Sequence, residues 1–312
     1  MPSESHKTVY LALGANAAIG VAKFAGGAIS GSTAMLAEGA HSVADTTNQL
    51  FLLASLNLSA RKPDDDHPFG YGKERFFWSF LAAVFIFVSG ALFSIYMGVN
   101  RMLSGDKPES SVGVAFAVLA LGVVLEGSSL LRAVRQTKAD ATRRQRAFRR
   151  HVRVSRDPTT KTVVFEDTAA LIGIALAALG LGLSTITENS VYDGAASVAI
   201  GLVLAVIAFF LGRDTKALLI GEAALPEERE ALTRVFEDHE DVDELIEMLT
   251  MALGPDSLLL AAKFDPASHL SSDDVENLAS ELERQLHDAV PEVQQVFLDP
   301  TRRRVAKSST AS

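Results

Sequence analysis

The sequence predicts an α-helical membrane protein with a small α+β domain at its C-terminal end. Three observations carry that reading. Six apolar stretches in the first two-thirds are each long enough to cross ~30 Å of hydrocarbon at roughly 1.5 Å per residue. After about residue 215 these long blocks give way to shorter alternating runs. The whole chain is 48% hydrophobic with a mean hydropathy of +0.21, which is high for a soluble protein.

The six stretches are placed at 9–29, 33–56, 76–97, 112–131, 162–183 and 192–211. The first two are joined by Ser30-Gly31-Ser32, a turn so short that the two helices must be antiparallel. The fifth starts at Asp157-Pro158, with the aspartate as N-cap and the proline at the first helical position. Beyond the last span, 226–240 reads as an acidic amphipathic helix, and 244–252 and 258–264 as strands around a Gly254-Pro255-Asp256 turn. Ser271 or Ser272 caps a helix running to about 289, and 292–298 is a last strand. The order α-β-β-α-β describes a ferredoxin-like, two-layer α+β domain. The expected organisation is an N-terminal tail (1–8), a six-helix membrane domain (9–214), the α+β domain (215–300) and a disordered tail (301–312).

Basic residues orient the helices. Arg61, Lys62, Lys73 and Arg75 lie between the second and third spans, and ten lysines and arginines lie between Arg132 and Arg156. The opposite loops hold only Arg101 and Lys107, so both termini are expected on the cytoplasmic side. This clustering at membrane edges also leaves little to support nucleic-acid binding. No removable signal peptide is evident, and the host membrane is read as the plasma (inner) membrane. With no cysteine, disulfides, thiolate ligands and thiol nucleophiles are all excluded.

The most informative residues lie inside the second apolar stretch. His41 and Asp45 are four apart, on one helix face, roughly 12 and 18 Å along the helix. Imidazole and carboxylate suit a borderline divalent cation such as zinc. Ionisable groups within the bilayer are costly and are retained for function. Asp167 lies roughly 14 Å into the fifth helix, at comparable depth. These three are the candidate metal ligands. Asn48, one turn beyond Asp45, is a further candidate. So is Glu166, although its direction differs from that of Asp167 by about 100°. Glu126 is an unassigned carboxylate of the fourth span, and Glu38 reads as interface-facing. Between the second and third spans, Asp64 and His67 form a weaker candidate pair, with a solvated acidic turn as the plain reading.

Several motifs resemble the cation diffusion facilitator family, in its zinc-transporter-like branch. They are Ala37-Glu-Gly-Ala-His-Ser-Val-Ala-Asp45, Pro68-Phe-Gly-Tyr-Gly-Lys-Glu-Arg75, Glu166-Asp-Thr-Ala-Ala-Leu-Ile-Gly173 and Tyr192-Asp-Gly-Ala-Ala-Ser197. The resemblance implies a homodimer in the lipid bilayer that exports a divalent metal, usually zinc, in exchange for protons. It implies that His41, Asp45 and Asp167 fill three of four ligand positions of the transport site. Val163 stands at the fourth, one turn before Asp167, so manganese, iron, cobalt and nickel stay open beside zinc. The positions matching a binuclear site in the soluble domain of some members are Ile246, Glu276 and Phe297 here, and the domain is expected to dimerise by packing.

The reading is a metal/proton antiporter working by alternating access, with the metal as substrate and no cofactor. The alternative is a membrane metal sensor or scaffold that binds without turnover. An intramembrane metalloprotease, and with it an enzyme, is disfavoured because no His-Glu-x-x-His motif is present.

Overall fold

The computed structural model describes residues 3–104, 112–143 and 146–302, and the expected tail at 301–312 lies outside them beyond Arg302. The chain divides into two compact units, Met1–Lys216 and Ala217–Ser312.

The first unit is helical. Helices α1 (Ser3–Ser30) and α2 (Thr33–Ser59) form the antiparallel pair that the short turn requires. Gly31 takes φ 64°, a left-handed conformation that glycine adopts without strain. Ser32 caps α2 by accepting from the Met35 N–H at 3.2 Å. The same helix start holds a carboxylate. Asp193 accepts from the Thr33 N–H (2.6 Å), the Thr33 hydroxyl (2.7 Å) and the Ser32 hydroxyl (2.5 Å), where the helix dipole favours negative charge.

Helix α3 (Glu74–Phe85) continues through a π-helical segment (Ile86–Leu92) into α4 (Phe93–Ser104). Helix α5 spans Val112–Arg143, α6 Phe148–Val154, α7 Pro158–Thr187 and α8 Val191–Ile220. Most of the basic segment after residue 131 is therefore helical rather than loop. Arginine, lysine, glutamine and alanine are good helix formers, and nothing before Arg143 breaks the helix. Likewise α1 starts at Ser3, within the stretch read as a tail.

Helix α2 is central, packing on α1, α3, α4 and α7, while α5 packs on α1 and α7. Helices α4 and α8 approach closely at paired glycines. A Cβ on Gly98 would lie 2.5 Å from the Gly194 carbonyl oxygen, so only glycine fits there. The Ser197 hydroxyl donates to the Ser94 carbonyl one turn away, at 2.7 Å. The unit keeps charged groups inside and large apolar side chains outside. Lys23, Glu38 and His41 are buried, whereas Val21, Val124, Leu179 and Phe209 are exposed. That distribution suits a hydrocarbon surround.

Among the described residues, four helices are long and apolar enough to cross a membrane: Glu74–Ser104, Val112–Arg143, Lys161–Thr187 and Val191–Ile220. Among the described residues of the first two helices no stretch meets that test; Ala17–Ser30 is apolar but shorter. Helix α2 is long enough, but Glu38, His41, Asp45, Asn48 and Gln49 lower its hydropathy.

The second unit has the α-β-β-α-β order: α9 (Pro226–Glu237), β1 (Val242–Gly254), β2 (Ser257–Pro266), α10 (Ser272–Ala289) and β3 (Val293–Pro300). The sheet order is β1-β2-β3, with β1 antiparallel and β3 parallel to β2. The parallel pair needs a crossover, which α10 supplies. Ser271 caps α10, with Asp274 bonded back to its N–H at 3.0 Å. Leu232, Phe236, Leu258, Leu260, Phe264, Leu282 and Leu286 fill the core between helices and sheet. On the outside of the unit, Ile246, Leu249 and Phe297 are exposed.

Candidate metal centre

Helix α2 presents Glu38, His41, Asp45 and Asn48 along one stripe, all buried. The i, i+3, i+7, i+10 spacing produces that stripe. His41 Nε2 lies 3.6 Å from Asp45 Oδ2, too long for a strong hydrogen bond and close enough for both to approach one ion. Neither His41 ring nitrogen, nor Asp45 Oδ1, has a hydrogen-bond partner. Buried polar atoms left in that state are rare and call for an explanation, of which an absent ion is one.

Helix α7 contributes two adjacent carboxylates that point in different directions. Glu166 is buried, and its Oε2 accepts from Asn48 Nδ2 at 2.6 Å. It also lies within Coulombic range of Asp45. Asp167 is only partly buried and turns toward Ser129 and Arg132 of α5. The structure brings His41, Asp45, Asn48 and Glu166 together, while Asp167 lies on the α5 side, still within Coulombic range of Asp45 and Glu126 and with its Oδ2 buried and unpartnered. Among the described residues, no three of His, Asp and Glu form a ready-made metal cage.

A small cleft between α2, α3 and α7 is lined by Asn48, Leu52, Trp78, Ser79, Thr162 and Val163, so Asn48 of this group reaches its wall. Val163 thus shares a surface with Asn48. Two ion pairs lie near the α7 N-terminus: Arg75–Asp157 and Lys161–Asp214, each 2.9 Å.

Two groups carry more than the sequence reading gave them. Glu38 is not interface-facing. It is fully buried and pairs with Lys23 of α1 at 3.1 Å. Glu126 has the same partner at 3.7 Å. Lys23, a lone charge in an apolar stretch, is the sequence signal that marks this buried pair.

The weaker pair is self-contained. Asp64 accepts from the Tyr71 hydroxyl at 2.6 Å and from the His67 N–H at 2.8 Å, and His67 Nδ1 lies 3.6 Å away. The Tyr71 hydrogen bond, then the His67 N–H, hold the Asp64 carboxyl below the usual carboxylate range.

Residues 9–220 match the cation efflux transmembrane domain. The chain belongs to the cation efflux, or cation diffusion facilitator, family. This cation efflux protein is 33% identical over 267 residues to the human "Proton-coupled zinc antiporter SLC30A9, mitochondrial", covering 84% of this chain and 47% of the relative. It is 34% identical over 261 residues to "Metal tolerance protein C4" of Arabidopsis thaliana (84% and 57%). It is 27% identical over 198 residues to "Magnetosome protein MamB" of Magnetospira sp. (60% and 58%). The chain spans about half the length of the human and Arabidopsis relatives. Four apolar helices and this family make it a multi-pass membrane protein. The relatives' names describe metal handling and transport rather than catalysis, in line with the expectation of no enzyme. The human relative is named as mitochondrial, so the plasma-membrane expectation draws no support from it.

Proposed function

We propose that this cation efflux protein is a homodimeric transporter that moves a divalent cation, zinc, out of the cytoplasm against inward proton flow. The observation that carries the proposal is the buried stripe on α2, where His41 and Asp45 keep unpartnered donor atoms beside Glu166 of α7. Zinc takes such nitrogen and oxygen donors and keeps catalytic or transport positions open. The name of the human relative, a proton-coupled zinc antiporter, supports the choice of metal and of exchange.

In the proposed cycle six helices, α1, α2, the α3–α4 helix, α5, α7 and α8, span the bilayer. Metal enters along the cleft past Asn48 and Val163 and binds deprotonated His41 and Asp45. Glu166 faces the ion in this conformation. Asp167 is the ligand after α7 turns, because neighbouring helix positions lie about 100° apart. Rocking of the bundle opens the site outward, where protons compete for the same donor atoms and release the metal. The α+β unit joins the homodimer by packing, and exposed Ile246, Leu249 and Phe297 supply apolar area for it.

The test uses proteoliposomes holding a pH-sensitive dye. Zinc entry should drive proton movement the other way, and Asp45→Asn should abolish both fluxes while the protein stays dimeric. Wild-type protein that binds zinc without moving it would favour the sensor or scaffold reading. Full transport by Asp45→Asn would remove the site.

A further inference from the structure

Lys23 is the residue that the metal centre does not explain. Its side chain is fully buried among α1, α2 and α5, with Nζ 3.1 Å from Glu38 and 3.7 Å from Glu126. Space for the Glu38 partner is kept by a glycine of α7: a Cβ on Gly173 would lie 1.9 Å from Glu38 Oε1. The ammonium group has three donors and no lone pair, so it cannot be a metal ligand. It is close enough to Asp45 to interact by Coulomb forces. Glu38 continues the α2 stripe that carries His41 and Asp45, so the ion pair and the metal donors form one polar layer.

Charge decides what that layer can do. Glu38, Asp45, Glu126 and Glu166 are four buried carboxylates, and Lys23 is the ammonium among them. With all of them ionised these five groups carry three negative charges, and a divalent ion leaves one; Asp167 adds one more negative charge in the state where it is a ligand. Without Lys23 the layer would be one charge more negative in every state, and buried charge acts through a low effective dielectric.

We propose that Lys23 is a tethered counter-cation that sets the charge of the buried layer and thereby how tightly a divalent cation is held. Lys23 acts on affinity and release through charge, within the transport reading on which this inference rests. Unlike a mobile ion, it cannot leave with the cargo. It holds Glu38 and Glu126 away from the metal and keeps the grip on a doubly charged ion weak enough for release.

The test measures zinc flux in proteoliposomes made from the full chain, reading KM and kcat separately. Lys23→Met should lower KM by about tenfold or more, with a lower kcat, because release slows. Glu126→Gln should raise KM by about tenfold. The double variant restores the wild-type charge, and its KM should return to within about threefold of wild type. A purely structural Lys23 would give losses of the same kind in both single variants, deeper in the double, and that result would overturn the inference. If Lys23→Met does not yield folded protein, Glu38→Gln and Glu126→Gln decide, because each should raise KM, and an unmoved KM overturns the inference. Absence of zinc flux in wild type would instead strike the transport reading. Zinc dissociation constants of the same variants, by equilibrium dialysis, would then have to follow the same order.

Discussion

Gly173→Ala places a methyl group against a carboxylate that has nowhere to go. The added Cβ would lie 1.9 Å from Glu38 Oε1 and 3.1 Å from its Cδ, where ordinary contact begins at 3.4 Å. The carboxylate must withdraw by roughly 1.5 Å to relieve this. Glu38 is fully buried, and its other oxygen is held by Lys23 at 3.1 Å. Overpacking of this kind costs about 1–3 kcal/mol. Pulling Glu38 away from Lys23 adds to that, since breaking a buried pair costs about 3–5 kcal/mol. The better helix propensity of alanine offsets only about 1 kcal/mol. A net destabilisation of about 0–2 kcal/mol is expected if the ion pair shifts without breaking. The assay is denaturant unfolding of the detergent-purified protein, repeated in a Glu38→Ala background. With the carboxylate gone the clash is absent, and Gly173→Ala should become stabilising by up to about 1 kcal/mol. An equal cost in both backgrounds, or a gain in the wild-type background, would refute the reasoning.

Val163→His should tighten zinc binding and slow turnover, because Val163 lines the same cleft as Asn48. Unchanged zinc affinity would mean that position 163 does not reach the metal. Tyr71→Phe should raise the Asp64 pKa toward the ordinary carboxylate value, since the phenol hydrogen bond is the largest cause of its lowering. Because that folded pKa is depressed, the loop order it supports is present above the ordinary value and is lost as pH falls through the folded one. Carbon-13 NMR titration of Asp64 reads both. The isolated fragment 217–302 should fold without metal, as judged by circular dichroism in the presence of chelator. Leu282→Ala in it should cost about 2–5 kcal/mol, since Leu282 is completely buried.

The fold was legible where local rules dominate. Apolar length gave the long helices, Ser30-Gly31-Ser32 the antiparallel pair, and alternation with Gly254 and Ser271 the α-β-β-α-β order. Helix ends were less legible, because Arg132–Arg143 is polar yet helix-favouring, and hydropathy alone stops at the hydrocarbon edge. The donor stripe on α2 was legible from spacing. The direction of α7 was not. Glu166 and Asp167 are neighbours in sequence, and only the packing of α7 between α2 and α5 decides which carboxylate each helix meets. The pairing of Lys23 with Glu38 and Glu126 needs three helices in contact, which no local pattern encodes.

X-ray absorption at the zinc edge, on the full chain loaded with one zinc in detergent, tests the central claim most directly. The account predicts a shell of nitrogen and oxygen at about 2.0–2.2 Å with the scattering signature of one imidazole. In His41→Ala that imidazole signature should vanish, while the carboxylate oxygens remain. An imidazole signature that survives His41→Ala, or a wild-type shell with no imidazole, would place the metal elsewhere and contradict the account.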